Sequence, residues 1–189
     1  GLYRVDVVAE HADPRSFIVA HDDDLEIGTH RGGLDEYAWS GVELSEVSVA
    51  VQLLDDQPVE ADPPARVLHV FLPTGEPCPY PIVINGAFSA DLSRQEVRVS
   101  TDPDDYNRWL LAESSRVFAE NLVPALTALG ATEPEILKLL DRGAAEPGDD
   151  AATRTGQALV EAMRDALSDA AIIPTNHEVR LPLAEIVVP

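Results

Sequence analysis

"IVINGAFSADLSRQEVRVSTDPDDYNRWLLAESSRVF", residues 82–118, is where the chain changes its period. Up to Phe88 it reads as an apolar strand that bends at Asn85-Gly86. From Asp102 onward it reads as an amphipathic helix. A polar loop lies between them, with Arg94 near its centre. Strands lie on one side of this stretch and helices on the other, so the chain reads as a sheet-forming half followed by a helical half.

Upstream, "YRVDVVA" puts Tyr3, Val5 and Val7 on one side of a strand, and "SEVSVAVQLL" does the same with Val47, Val49 and Val51. "RSFIVAH" and "ARVLHVFLP" read as further strands, with "TGEPCPYP" as a proline-rich loop before the next one. "GTHRGGLDEY" and "DDQPVEADPP" read as connections. Downstream, Asp102 is the expected N-cap, with Pro103 in the first helical position and Asp104 and Asp105 near the positive helix end. Leu111, Phe118, Leu122 and Leu129 then share a face, and Pro124 is expected to kink or interrupt the helix. Thr132 and Glu135 form a capping-box pattern before "ILKLLDRG", with Gly143 as its stop. "AAEPGDD" reads as a hinge. A third helix carries Leu159, Val160, Met163 and Leu167, and the tail returns to short extended segments. The expected division is an α+β domain at 1–130 and a helical satellite with short strands at 131–189.

The chain has 189 residues, 45% of them hydrophobic, enough for a proper core. Its net charge of −21 argues against direct nucleic-acid binding, which needs clustered Lys and Arg. Lys138 is the only lysine; with so much alanine, the arginine bias suggests a GC-rich bacterial source. No apolar run approaches membrane-spanning length, and the opening lacks a signal-peptide layout, so a cytoplasmic location is expected. Gly1 stands where an initiator Met is expected, so the chain reads as a piece of a longer one.

The candidate chemistry is sparse. "HDDD" at 21–24 offers carboxylates for a divalent cation but lacks the spacing and glycine of a calcium loop, and reads better as a solvated turn. It is all that would carry a metal-dependent hydrolase. His11, His21, His30, His69 and His177 make no metal motif, and His69 suits a structural role in its strand. Cys78 stands alone between prolines, which excludes an intrachain disulfide. There is no nucleophile elbow, phosphate-binding loop or dinucleotide fingerprint. No cofactor-binding or metal-binding residue is expected, and the isolated chain is not expected to be an enzyme.

"FLPTGEPCPYPIVINGAFSADLSRQEVR" followed by "DYNRWLLAESSRVFAENLVPAL" resembles the segment after the nucleotide-binding domain in sacsin-like repeats. "DLSRQ" also resembles the "LSRE" loop in the middle domain of heat-shock-ninety-like ATPase chaperones. Both belong to the GHKL class of gyrase, chaperone, histidine-kinase and mismatch-repair ATPases. The likeness spans residues 66–126, and the tail "IIPTNHEVRLPLAEIVVP" is similar to a segment further along sacsin-like chains. It implies a transducer (middle) segment of the ribosomal-protein-S-five, second-domain type, an α+β fold with a mixed sheet packed against helices.

By this resemblance, Arg94 is the catalytic residue that reaches, in trans, the γ-phosphate of ATP held by an adjacent ATP-binding domain. A guanidinium suits that task, since its rigid fork of donors matches phosphate oxygens and stays charged. The ATP-recognition helix and D-x-G-x-G loop of the class are missing from this chain. ATP and Mg are thus implied for the full-length protein alone, with protein clients as further partners. The alternatives are a surface Arg94 paired with Asp91 or Glu96, and a protein-binding adaptor with no role in hydrolysis. Phe88, Leu92, Trp109 and Phe118 are expected in the core, and Arg98 is the natural control for Arg94.

Overall fold

A computed structural model describes residues 1–8, 14–93, 95–141, 151–168, 173–174 and 180–181. Seven strands form one sheet: β1 (Leu2–Val7), β2 (Arg15–Glu26), β3 (Leu44–Leu54), β4 (Gln57–Val59), β5 (Val67–Val70), β6 (Leu72–Pro77) and β7 (Val83–Gly86). The order is β1-β2-β3-β7-β5-β6, with β4 hairpinned onto the end of β3. Among the described strands only β5 and β7 pair in parallel, so the sheet is mixed and the fold is α+β. The helical part comprises α1 (Tyr106–Val117), a π turn (Phe118–Leu122), α2 (Val123–Ala128), α3 (Glu133–Lys138) and α4 (Ala151–Ser168). A short pair, β8 (Ile173–Pro174) and β9 (Arg180–Leu181), stands apart from the sheet.

β3 shows why these residues make a strand. Val47, Val49, Val51 and Leu53 are buried, while Ser48, Ala50 and Gln52 between them stay half-buried. Period-two alternation of this kind sends every second side chain into one core, and each such burial contributes roughly 1.5–3 kcal/mol. Leu110, Leu111, Phe118, Leu122 and Leu126 supply the helical side of that core. Ile136, Leu139, Leu159, Met163 and Leu167 belong to the same cluster. The expected Thr132–Glu135 capping box forms, Glu135 Oε2 accepting from Thr132 N at 2.7 Å.

Several expectations are corrected here. "HDDD" is not a turn but the far part of β2, where the register slips between Asp22 and Leu25 as in a β-bulge. "TGEP" is strand β6, not loop, and 65–73 breaks at Phe71. Phe71 takes a positive φ of 61° there, held by a bond from its N–H to Asn85 Oδ1 at 2.9 Å. Within "DDQPVEADPP", Asp55 and Asp56 form the turn of a β3–β4 hairpin, both with positive φ, before β4 itself. Asn85-Gly86 is not a bend either, since both residues lie in β7. Gly86 serves close packing: a Cβ there would come within 3.2 Å of Glu46 O and of the Phe88 ring.

The helical corrections have one theme. Asp105, not Asp102, caps α1; Asp102 closes a turn ahead of it by accepting from Asp104 N at 2.9 Å. Near Pro124 the α-helix is interrupted only by a π turn and does not end. Pro124 lacks an N–H, and the π turn just upstream absorbs the defect, so the helix runs on as α2. The extra residue turns the later face, leaving Leu129 at 42% exposure while Leu126 is buried. α2 then ends at Gly130, whose φ of +92° lets Ala131 N reach Leu126 O and Gly130 N reach Thr127 O. Gly143 and the "AAEPGDD" hinge lie outside the described residues.

Candidate functional site

The segment that carried the resemblance leaves the end of β7 and returns before α1 as a loop, with a bridge between Ala90 and Val97 at its neck. Asp91 organises its tip. Its Oδ1 accepts from the backbone N–H of Gln95 at 2.8 Å and of Glu96 at 3.2 Å, and Ser93 Oγ donates to Oδ2 at 2.5 Å. Asp91 N donates in turn to Glu96 O at 3.2 Å. The Ser93 hydroxyl and these backbone donors hold the Asp91 carboxyl below its ordinary range. Arg94 lies outside the described residues; its chain neighbours Ser93 and Gln95 are both fastened to Asp91.

Neither carboxylate suggested for an Arg94 surface pair is idle. Asp91 serves the turn, and Glu96 Oε2 accepts from Arg98 Nε at 2.7 Å. That bond raises the Arg98 pKa further above its already high value. Leu92, expected in the core, is fully exposed at the loop tip, because the turn around Asp91 leaves its side chain nothing to pack on. Phe88 and Phe118 are buried as expected. Trp109 packs against the core and stacks on His30, with ring centroids 5.3 Å apart.

Three elements brace the loop. From α1, Asn107 Oδ1 accepts from Ser89 N, while its Nδ2 donates to Ser89 O and Arg98 O, each at 2.8 Å. From β6, Glu76 Oε2 accepts from Val97 N at 3.2 Å. From α4, Thr155 Oγ1 donates to Val97 O at 2.7 Å. Gly75 lies so close that a Cβ on it would be 2.8 Å from Gln95 O. Tyr106 ties the base of the loop to the sheet, its hydroxyl donating to Ala87 O at 2.9 Å and accepting from Ser45 Oγ at 2.7 Å. Sequence reasoning missed all of these anchors.

A cleft of about 500 Å³ runs beside the loop, walled by Gly32-Gly33, Ser100, Asp105 and Arg154. Asp105 is committed there, accepting from Arg108 N and Ser100 N at 2.8 and 2.9 Å. Among the described residues no group of three His, Cys, Asp or Glu could hold a metal ion. In particular, Asp22 of "HDDD" is engaged by Arg116 at 2.7 Å. His69 sits half-buried in β5, and burial lowers its pKa. Cys78 is buried, which pushes its thiol up to about 12. No described helix is long and apolar enough to cross a membrane.

No family model matches this chain, and no curated protein or solved structure matches it.

Proposed function

We propose that the chain is a transducer (middle) module of a larger sacsin-like or heat-shock-ninety-like ATPase of the GHKL class, itself non-catalytic. In this reading the 89–98 loop brings Arg94 to the γ-phosphate of ATP and Mg bound by an adjacent ATP-binding domain of the same chain. The observation that carries it is the construction of that loop. It leaves the end of a core strand, is tied on both sides of position 94 to Asp91, and is braced from α1, β6 and α4. A finger that couples hydrolysis to domain position needs such a mount, because a guanidinium helps the transferring phosphoryl group only when delivered in place. The ribosomal-protein-S-five, second-domain type is the finer fold proposed. The helix-backed mixed sheet with one parallel pair supports it. A cytoplasmic bacterial ATPase acting on protein clients is the setting proposed.

The test compares Arg94→Ala with Arg98→Ala in the full-length parent. Arg94→Ala lowers ATP turnover by roughly 10³-fold where phosphoryl transfer limits the cycle. Arg98→Ala, whose guanidinium is already engaged by Glu96, leaves turnover near wild type. Equal, unimpaired turnover in both would refute the reading. The chain alone gives no saturable heat when titrated with Mg-ATP at micromolar concentrations.

A second reading, a protein-binding adaptor with no part in hydrolysis, is favoured by exposed apolar residues at Phe71, Leu72 and Leu92. It expects unchanged turnover in Arg94→Ala.

A further inference from the structure

We infer that Asn107 is the positioning residue of the two limbs 89–93 and 95–98, with Thr155 as its second anchor, so that these limbs form a preset platform that does not wait for a partner. The functional meaning of that platform rests on the ATPase reading above; its mechanical construction does not.

The returning limb is held by side chains. Val97 N is taken by Glu76 of β6, Val97 O by Thr155 of α4, and Arg98 O by Asn107 of α1. These are three backbone groups of two adjacent residues, claimed by three elements that lie far apart in sequence. Backbone ladder bonds would have fixed the limb too, but only as part of the sheet. Held this way, the limb takes its position from how α1, α4 and β6 are packed together.

Asn107 holds the outgoing limb as well, and this sets it apart from the other two. Its amide accepts one bond and donates two, so its oxygen and both its protons are engaged. The residue is 5% exposed, which leaves little water to substitute for a lost partner. Ser89 and Arg98, the two sides of the neck, are thereby closed onto one side chain. Asp91 shapes the tip independently, so loosening the neck frees the loop as a unit without dissolving its turn.

The experiment is hydrogen exchange read by mass spectrometry on the whole chain, comparing wild type with Asn107→Asp and Thr155→Val. Aspartate keeps the acceptor for Ser89 N but turns both donors into an oxygen facing two carbonyls. Valine keeps the shape of Thr155 and removes its donor. Each substitution speeds exchange across 89–98 by about tenfold or more, while peptides from β3 keep wild-type protection. Where Asn107→Asp does not fold, Thr155→Val carries the test alone. Unchanged exchange across 89–98 in a folded variant overturns the proposal, as does equal acceleration in the loop and β3.

In the intact parent, Asn107→Asp lowers kcat for ATP hydrolysis with KM unchanged; a raised KM with intact kcat overturns the positioning role. If Arg94→Ala proves neutral for turnover while Asn107→Asp still loosens the loop, the platform stands and the ATPase reading falls.

Discussion

Arg116 and Asp22 lie 94 positions apart in the chain, yet Arg116 Nη2 meets Asp22 Oδ2 at 2.7 Å. The same guanidinium reaches Glu113 at 2.7 Å and Glu120 at 3.1 Å. It therefore joins the irregular part of β2 to the last turn of α1 and to the π turn beyond. Burial alone would lower the Arg116 pKa, but its bonds to Glu113, Asp22 and Glu120 outweigh that and raise it. Burial alone would raise Asp22, and the Arg116 bond reverses that as well.

Arg116→Ala strands three carboxylates, and with the site about a third exposed we expect a loss of about 1–2 kcal/mol, or roughly 2–8 °C in Tm. The pH dependence has a definite sign. The folded-state pKa of Asp22 lies below its unfolded value of 3.8, so its contribution is present above that value and is lost as pH falls through the lower one. Urea denaturation at pH 7 and pH 3 should show the wild-type advantage over Arg116→Ala narrowing in acid. An advantage equal at both would exclude the ion network as its source.

Cys78 should be inert while the chain is folded. Thiolate is the reactive form, and a thiol pushed up to about 12 supplies almost none at neutral pH. Iodoacetamide at pH 8 should leave the native mass unchanged and add one label in denaturant. Because the folded pKa is raised, this group's contribution to stability is complete below its unfolded pKa of 9.0 and is lost as pH climbs toward 12.

Phe71 sits at a turn with φ of 61°, a conformation that costs a bulky L-residue about 1–2 kcal/mol. Its side chain is 65% exposed, so little burial offsets that cost. Phe71→Gly should raise stability by about 0.5–1 kcal/mol, the relieved strain being partly cancelled by the looser unfolded chain. Phe71→Ala, which keeps the strain, should not. Thermal unfolding of the pair decides between strain relief and loss of packing.

Gly75→Ala should displace the loop. A methyl group there would stand 2.7 Å from Gln95 Oε1, which can swing aside, and 2.8 Å from Gln95 O, which cannot move without the backbone. We expect a loss of about 1–3 kcal/mol, with amide chemical-shift changes concentrated at 95–97. Shifts spread evenly over β5 and β6 would mean that the strand yields and the loop does not.

Legibility followed the range of the interaction. β3 was readable from Val47, Val49 and Val51, and α4 from Leu159, Met163 and Leu167, because a periodic pattern states which face is buried. Strand β6 was not. Pro73 and Pro77 look like loop punctuation, yet β6 is the edge strand, where a missing N–H is tolerated. Three aspartates compete to cap α1, and the segment is fixed where Gly32 N donates to Asp104 O and Tyr106 N to Gly32 O, a fact of tertiary structure. The resemblance directed attention to the 89–98 loop, but what holds that loop was hidden. Asn107, Glu76 and Thr155 act on Ser89, Val97 and Arg98, and nothing local marks a residue that works at such separations.

The π turn also changes how the helix must be counted. With successive residues about 100° apart, stepping from Leu111 brings Leu129 back to the starting direction and leaves Leu126 about 60° off it. Discounting one residue within 118–122 swings Leu129 about 100° away and brings Leu126 and Val123 inward, as their burial requires. The helix thus behaves as two phase-shifted halves with one spliced-in residue between them. Deleting a residue from 118–122 would not shorten the buried stripe. It would take out the spliced-in residue and close the turn into regular α-helix, with Leu126 still facing inward and Leu129 outward; tightening the π turn without a deletion is the change that would turn Leu126 away and replace the contact surface of α2.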